Sequence, residues 1–394
     1  KVLPGQGLYY NPDFITPKGR EKIHGYCTDL VTDMAIEFIE RNKEAEKPFM
    51  LMCQHKAPHR NWMPALRHLN LYDDIDLPVP DTLFDDYRDN APPARHQELE
   101  IDRHMHLNFD LFVDLDPDFE GNRIKGRIDK SAWRNMSRMT PEQLKIWRDA
   151  YGPDDEAFHQ AKLKGKDLVR WKYQRYAKNY LRTVKGVDEG VGKMMDTLKR
   201  LGLEDNTVVI YSSDQGFYIG DHGWYDKRWM YEESLMMPFI VKWPGVVKPG
   251  SRDRHMIQNI DYASTFLDMA GAPIPGDLQG VSLVPLLKGE SPKNWRTSIY
   301  YHYYEYPSVH MVPRHFGIRT ERYKLMKFYE FDEWEFYDLK TDPDELTNLY
   351  NNPEYKEKIE QVKKQLDDLR TYYDDDSPVG VKPKAWQQKV RPGA

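Results

Sequence analysis

The chain has 394 residues and a formal net charge of −6, with 57 basic and 63 acidic side chains. This length suffices for one large α/β domain plus a smaller one, and the chain can bury a sizeable core. The near balance of charge gives no bulk attraction to nucleic acid, and no run of about 18 apolar residues predicts a membrane span. We therefore expect neither nucleic acid nor a membrane as a partner.

Two cysteines, Cys27 and Cys53, are too few for a disulfide framework, and neither belongs to a C-x-x-C pair that would predict zinc. The redox compartment therefore stays open. The first residues contain no signal peptide, yet Lys1-Val2-Leu3-Pro4 is not typical of a natural start. We expect this numbering to begin inside a longer protein.

The first half of the chain predicts helices, a strand and an insertion. Apolar residues recur at helical spacing over 26–42, and the apolar run 48–53 predicts a buried parallel strand. Residues 71–166 are charged, aromatic and rich in proline, which indicates an insertion or lid with short helices. A long helix is predicted over 168–201, ended by Gly202.

The second half begins with a short strand at 208–211 and changes to alternating strands after about residue 290. Further predicted strands cover 238–243, 298–304, 316–328 and 336–339, and further helices cover 261–271 and 353–372. This order predicts an α/β fold with a mainly parallel sheet flanked by helices in residues 1–290. Residues 291–394 predict a smaller antiparallel sheet plus one helix.

Polar residues follow the strand at 208–211 without a break. Asp214 and Gln215 come just past its carboxyl end, which is where ligands bind in open α/β sheets. A carboxylate next to an amide supplies two hard oxygen ligands, which suits Ca²⁺ and also Mg²⁺. The alternative is an Asp-Gly turn that caps the following segment. The next loop, 220–228, combines acids, an imidazole and two cations.

Several segments together resemble the sulfatase family, within the alkaline phosphatase-like superfamily. The matching segments, in chain order, are 26–33, 56–59, 212–216, 220–223, 226–228, 259–261, 279–283 and 337–345. Segment 5–11 and the Ala-Pro-His turn at 57–59 are most similar to glycosaminoglycan sulfatases of the N-acetylglucosamine-6-sulfatase type. The resemblance implies an alkaline phosphatase-like fold and hydrolysis of a sulfate monoester.

The chain departs from the family at the nucleophile. Sulfatases carry the signature Cys or Ser, any residue, Pro or Ala, any residue, Arg, and its first residue becomes formylglycine. Neither the residues after Cys27 nor those after Cys53 fit this signature. The paired aspartates that complete the family's metal site are also absent. We therefore predict that these elements lie in an upstream segment, and that the present residues alone do not turn over substrate.

The resemblance implies roles for four residues. Asp214 and Gln215 are predicted ligands of Ca²⁺, with Mg²⁺ as a second possibility. Lys227 is predicted to hold a sulfate oxygen or the bridging oxygen, where negative charge develops. His59 is predicted to protonate the leaving sugar hydroxyl. The alternatives are a solvated loop lysine for Lys227 and a histidine packed at a proline turn for His59.

Five further side chains are predicted to bind substrate: Lys56, His222, Arg228, His310 and His315. Imidazole and guanidinium groups are suitable donors to sugar hydroxyls and to anions. His222 and Arg228 could equally orient Asp221 and Asp226, and Lys56 could equally be a surface side chain.

The sequence thus predicts a sulfuric ester hydrolase that acts on a glycosaminoglycan-derived saccharide by Ca²⁺-assisted formylglycine attack. Two alternatives remain: a phosphonate or phosphodiester hydrolase of the same superfamily, and a non-catalytic carbohydrate-binding relative. The resemblance also leads us to expect a periplasmic or secreted protein, because polysaccharide substrates lie outside the cytosol.

Overall fold

The computed structural model describes residues 2–3, 7–115 and 135–376, with the backbone alone at residues 2–3. The strands are β1 (Val2–Leu3), β2 (Asp13–Thr16), β3 (Gly19–Lys22), β4 (Val209–Ser212), β5 (Tyr218–Ile219), β6 (Tyr225–Asp226), β7 (Phe239–Lys242), β8 (Ser298–Tyr303), β9 (His315–Thr320), β10 (Tyr323–Phe328) and β11 (Glu333–Asp338). The helices are α1 (Cys27–Asn42), α2 (Pro141–Ala161), α3 (Gly165–Arg200), α4 (Glu232–Leu235), α5 (Asp261–Met269), α6 (Val284–Leu287) and α7 (Lys356–Tyr372). Short 3₁₀ turns lie at Leu66–His68, Asp81–Phe84, Pro92–Arg95, Glu204–Asn206, Asp221–Gly223, Val309–Met311 and Pro353–Tyr355.

The chain forms two compact units. The first unit comprises Lys1–Phe84, Leu99–Thr207 and Ile219–Tyr225, and the second comprises Asp85–Glu98, Val208–Tyr218 and Asp226–Ala394. These compact units do not test the predicted domain division at residue 290, which stays a prediction.

In the first unit, α1 packs along the long helix α3. The two predicted helices, 26–42 and 168–201, form close to those bounds. The helices approach closely at Gly190, where an added Cβ would lie 2.5 Å from Thr32 Oγ1. Gly202 ends α3 with φ +69°, a left-handed conformation that glycine adopts without steric cost.

The predicted insertion, 71–166, contains a longer helix than its proline content indicated. Helix α2 begins at a complete capping box, in which Thr140 and Gln143 satisfy each other's backbone N–H groups. Pro141 occupies the first turn, where its missing N–H costs nothing. Residues 116–134 lie outside the described residues.

The strand predicted at 48–53 does not form, and that prediction is wrong. Met50 and Met52 are 60% and 62% exposed, and the segment has no strand assignment. Its apolar composition alone predicted a buried strand, but a strand also needs a hydrogen-bonded neighbour.

In the second unit, β8 to β11 form an antiparallel sheet in the order β11-β10-β9-β8. Helix α7 covers one face and buries Ile359, Val362 and Leu366 against it. The predicted small antiparallel sheet with one helix is therefore confirmed.

The strand predicted at 208–211 forms as β4 and pairs with β7. This pair is antiparallel, so it does not itself supply the parallel pairing expected of the larger sheet. In the part of the chain that the structure describes, no helix has the length and apolar character needed to cross a bilayer.

Candidate active site

The loop after β4 holds the two predicted metal ligands in the second unit. Asp214 is exposed, and its backbone carbonyl accepts a hydrogen bond of 3.0 Å from Asn259 Nδ2. Gly216 closes the turn by donating its N–H to the carbonyl of Ser234 at 2.9 Å. A Cβ at Gly216 would lie 2.0 Å from the carbonyl oxygen of Glu233, so only glycine fits here.

The donors at this turn fit a hard cation in kind but not in number. Asp214 and Gln215 carry a carboxylate and an amide oxygen, the ligand types of Ca²⁺ and Mg²⁺. Within residues 7–115 and 135–376, however, no group of three or more His, Cys, Asp or Glu side chains is arranged to hold a metal ion. These two residues can therefore provide only part of a coordination shell.

Two cationic side chains and one imidazole surround the carboxylate of Asp226. Lys227 Nζ lies 3.9 Å from Asp226 Oδ1, Arg228 donates to the same oxygen, and His310 Nε2 lies 3.3 Å from Oδ2. Asp226 is 2% exposed, whereas the side chains of Lys227 and Arg228 are 17% and 18% exposed. Even with a neutral imidazole, two cations face one carboxylate, which leaves a net positive charge for binding an anion.

The backbone around these residues is held in uncommon conformations. Asp226, Arg228 and His310 have φ values of +75°, +96° and +70°. Such left-handed angles are costly for non-glycine residues and persist only where contacts hold them. Tyr301 donates from its hydroxyl to the Arg228 carbonyl at 2.8 Å. The backbone carbonyl of Glu98 accepts a 2.9 Å hydrogen bond from His310 Nδ1.

The ionisation of Asp226 follows from these neighbours. Burial by itself would raise its pKa, but the His310 hydrogen bond and the charges of His310, Arg228 and Lys227 hold the pKa well below the usual range. Asp226 is therefore a carboxylate that the surrounding cations keep ionised.

Lys227 also approaches the loop with the predicted metal ligands. Its Nζ lies 5.7 Å from the centroid of the Phe217 ring, two residues after Gln215. Lys227, which is predicted to hold sulfate, and the loop with the predicted metal ligands are thus neighbours within the second unit.

In the first unit, Lys56 and His59 belong to one tight turn. The His59 N–H donates to the Lys56 carbonyl at 2.9 Å, and Tyr9 donates from its hydroxyl to the His59 carbonyl at 2.6 Å. Lys56 Nζ lies 4.5 Å from the centroid of the Tyr9 ring, a cation–π distance. Lys56 is buried and is therefore not the surface side chain that one interpretation of the sequence expected.

The ring of His59 has a fixed orientation. Its Nδ1 lies 2.6 Å from the carbonyl oxygen of Arg60, and because a carbonyl can only accept, Nδ1 carries the proton. Arg60 in turn makes two hydrogen bonds to Asp110, at 2.6 and 2.9 Å. Nε2 is then the nitrogen that can exchange a proton with a substrate.

His222 and His315 are both buried. His222, in the first unit, donates its backbone N–H to Thr82 Oγ1 at 2.9 Å, and its ring lies 5.4 Å from that of Trp224. His315, in the second unit, is enclosed by aromatic rings, including Trp229 at 5.6 Å and Phe328 at 5.2 Å.

Burial lowers the pKa of His315 to about 4, so this imidazole is neutral at physiological pH. Its Nδ1 donates to the carbonyl of Pro313 at 2.8 Å. These are the contacts of a core side chain, and they give no support to the prediction that His315 binds substrate.

Two family models match the chain. A model described as sulfatase covers residues 2–272, and a model described as N-sulphoglucosamine sulphohydrolase, C-terminal, covers residues 220–372. The chain belongs to the sulfatase family. The family match and the named sulfatase relatives support sulfuric ester hydrolase activity.

Two curated sulfatases are similar over most of this chain. An N-acetylglucosamine-6-O-sulfatase of Bacteroides thetaiotaomicron is 43% identical over 96% of this chain and 68% of its own length. An arylsulfatase of Clostridium perfringens is 28% identical over 91% of this chain and 61% of its own length. The chain thus spans about two thirds of the length of these relatives.

A solved structure extends this similarity to the fold. It shows a protein in complex with its substrate, D-glucosamine-2-N,6-O-disulfate, and is 42% identical with a TM-score of 0.89. The match covers 96% of this chain and 76% of that chain. The predicted alkaline phosphatase-like α/β fold is confirmed.

The sequence assigns no separate role to Asp226, the central residue of this cluster. Asp226 was considered only as a group that His222 or Arg228 might orient, yet it contacts Lys227, Arg228 and His310. The run Asp226-Lys227-Arg228 places an acid next to two bases, which was the available signal. Its contact with His310, 84 positions away, has no such signal.

Proposed function

We propose that this sulfatase chain binds the sulfate group of a glycosaminoglycan-derived amino sugar and contributes to its hydrolysis. The observation that carries this proposal is the set of two cations, Lys227 and Arg228, and one imidazole, His310, around the single carboxylate of Asp226. A sulfate monoester has three peripheral oxygens with shared negative charge, and several fixed donors bind it better than one. The named activity of the Bacteroides thetaiotaomicron sulfatase and the substrate in the similar solved structure support an amino sugar sulfated at O6 as the substrate class.

Each of these three side chains has a separate proposed role. Lys227 binds a sulfate oxygen or the bridging oxygen, because negative charge grows there as the ester bond breaks. Arg228 offers a planar set of donors to the sulfate or the sugar, and His310 offers a ring held by Glu98 and Asp226. His222 stays a proposed substrate-binding residue, and the same proposal for His315 has no support from its buried contacts.

His59 is proposed to give a proton to the leaving sugar oxygen. Its Nδ1 is bonded to the Arg60 carbonyl, so the ring donates from Nε2 once that nitrogen is protonated. Lys56, in the same turn, is proposed to contact the sulfate from its position above the Tyr9 ring.

The nucleophile is proposed to be a formylglycine from outside these 394 residues. Neither cysteine fits the required signature. Burial also raises the pKa of Cys27 to about 11, which keeps this thiol protonated and unreactive.

A Ca²⁺ ion is proposed to bind at Asp214 and Gln215, with its other ligands from outside the described residues. When bound, such an ion offsets the charge of the sulfate and of the attacking group. The chain's own contribution is the Gly216 turn, which fixes the two donors at the end of β4. The protein is further proposed to be periplasmic or secreted, where sulfated polysaccharides occur.

The test is the affinity of the chain for D-glucosamine 6-sulfate and for inorganic sulfate, measured by isothermal titration calorimetry. Lys227→Ala should weaken both by at least about tenfold, which corresponds to about 1.4 kcal/mol. Lys288→Ala removes an exposed lysine of the second unit and should leave both affinities unchanged. Affinities of Lys227→Ala within twofold of the parent would refute the proposal.

A turnover assay separates the sulfatase from the alternative hydrolase. The chain is joined to the upstream part of the Bacteroides thetaiotaomicron sulfatase and offered an aryl sulfate and an aryl phosphodiester. We expect faster hydrolysis of the sulfate, and faster hydrolysis of the phosphodiester would favour the alternative.

A further inference from the structure

A completely buried lysine lies between two glutamates in the second unit. Lys324, on β10, is 0% exposed, and its Nζ lies 2.8 Å from Glu232 Oε1 and 2.8 Å from Glu345 Oε2. Glu345 Oε2 also accepts the Glu232 N–H at 2.8 Å. Arg319 binds the Glu232 carboxylate from the other side, at 3.2 and 2.9 Å. Glu232 is thus fixed at both its side chain and its backbone.

This ion network lies next to the proposed sulfate-binding residues in the chain. Glu232 begins the short helix α4, four residues after Arg228. Within α4, Ser234 Oγ accepts the Arg228 N–H at 3.1 Å. The anchored helix therefore holds the backbone of Arg228, whose φ of +96° requires such support.

The residues between Arg228 and Glu232 are fully buried. Trp229, Met230 and Tyr231 are all 0% exposed. The Trp229 ring lies 5.0 Å from that of Phe328, on the strand of Lys324. A displacement at Glu232 would consequently pass to Arg228 instead of being absorbed by a loose loop.

We propose that Lys324 is a positioning residue for sulfate binding: it bridges Glu232 and Glu345 and so fixes α4, which holds the backbone that presents Lys227 and Arg228. The proposal rests on the proposed function of those two side chains. Lys324 itself is too deeply buried to touch a substrate.

Stability alone gives little reason for a buried ion network here. Removing charges from water is costly, and well-packed apolar residues of similar volume often stabilise a core at least as well. The pKa values of the two carboxyls also shift in opposite directions. Burial raises the pKa of Glu345 to about 7. At Glu232, burial acts in the same direction, but Lys324 and Arg319 outweigh it and lower the pKa to about 2. What the network provides is a fixed direction for each group it joins, which apolar contacts do not provide.

The experiment compares Lys324→Met, Ser234→Ala and the exposed control Lys288→Met with the parent chain. Binding of inorganic sulfate and of D-glucosamine 6-sulfate is measured by titration calorimetry, and thermal unfolding is followed for each variant. A structural role alone would lower the unfolding midpoint or the binding stoichiometry, but not the affinity of the folded fraction. We expect Lys324→Met to weaken both ligands at least fivefold, Ser234→Ala at least threefold, and Lys288→Met not at all.

If Lys324→Met fails to fold, Ser234→Ala still tests the proposal. It removes only the hydroxyl that accepts the Arg228 N–H. Affinities of Ser234→Ala within twofold of the parent would overturn the proposal. The Lys227→Ala variant separates this outcome from failure of the proposed function. If Lys227→Ala loses affinity while Lys324→Met and Ser234→Ala keep it, only the positioning role is refuted; if Lys227→Ala also keeps it, the sulfate-binding site itself is refuted.

Discussion

At the scale of single residues, the site depends on which charges share a partner. Asp226 compensates Lys227, Arg228 and His310 at once, and Lys324 compensates Glu232 and Glu345 at once. Removing one member of a buried ion pair leaves its partner without compensation, which costs more than the pair contributes when intact. Single substitutions at Asp226 and Lys324 should therefore have the largest effects on stability and binding.

Replacing Asp226 should destabilise the protein even though the side chain changes little in size. Asp226→Asn removes the negative charge that Arg228 and His310 face, with an expected loss of about 3 kcal/mol in the free energy of unfolding. Urea unfolding at pH 7 measures this loss. Asp277→Asn, at an exposed position, should change stability by less than about 0.5 kcal/mol. A loss below about 1 kcal/mol for Asp226→Asn would contradict the role given to this carboxylate.

Glu335 should make stability depend on pH. Burial raises its pKa to about 7 in the folded protein, against about 4.3 in an unfolded chain. The folded state therefore holds this proton more tightly, and the stabilisation is present below about pH 4 and lost as the pH rises through about 7. For this difference in pKa the loss of unfolding free energy is about 4 kcal/mol.

Glu335→Gln tests this dependence because the amide resembles the protonated acid. Its free energy of unfolding, from urea titrations between pH 4.5 and 7.5, should fall less with pH than that of the parent. Part of the slope should remain, because burial also raises the pKa of Glu345 to about 7. Glu290→Gln, at an exposed position, should keep the parent's slope, and an identical slope for Glu335→Gln would contradict the assignment.

At the scale of elements, the approach of α1 and α3 in the first unit depends on one missing side chain. An added Cβ at Gly190 would meet Thr32 Oγ1 at 2.5 Å, and this hydroxyl already donates to the Thr28 carbonyl at 2.9 Å. Gly192, two residues further along the same helix, is exposed and has nothing within 4 Å of its added Cβ. The two glycines thus differ in packing although both lie inside one helix.

This difference predicts opposite effects of the same substitution. Gly190→Ala should lower the free energy of unfolding by about 1–3 kcal/mol, because the helices must separate or Thr32 must lose its hydrogen bond. Gly192→Ala should raise it by about 0.5–1 kcal/mol, because alanine suits a helix interior better than glycine. Thermal unfolding of both variants is the measurement. Equal shifts in the same direction would show that α1 and α3 do not touch as described.

At the scale of the whole molecule, binding and turnover should separate in this chain. The cations proposed to hold sulfate are present, whereas no cysteine or serine among the 394 residues begins a nucleophile signature. We expect the purified chain to bind D-glucosamine 6-sulfate but not to hydrolyse 4-nitrophenyl sulfate above the buffer rate. The Bacteroides thetaiotaomicron sulfatase, assayed at the same concentration, is the positive control. Turnover by the purified chain would contradict the proposal that the nucleophile comes from elsewhere.

The sequence alone determined the elements whose signals are local. Helical periodicity predicted α1 and α3 to within three residues at each end, and alternating patterns predicted the C-terminal antiparallel sheet. Both signals are local, because an element with one buried face repeats its apolar residues at a regular spacing. Ordered short segments with their spacing also indicated the family. The residue types at Lys227, Arg228 and His310, together with the family resemblance, led to the proposal of an anion-binding site, which stays a proposal.

Only the tertiary structure decided which side chains share a partner and which are enclosed. The contacts of Asp226 with His310, and of Lys324 with Glu232, join residues more than 80 positions apart, and no local pattern encodes such a pairing. His315 carries an imidazole, which often binds ligands, but it lies in the surroundings of a core residue. The aromatic rings around it come from separate segments of the chain. Segment 48–53 has the composition of a strand but no hydrogen-bonded neighbour. The residue type determines which chemistry a side chain can perform, whereas the tertiary structure determines which groups it contacts.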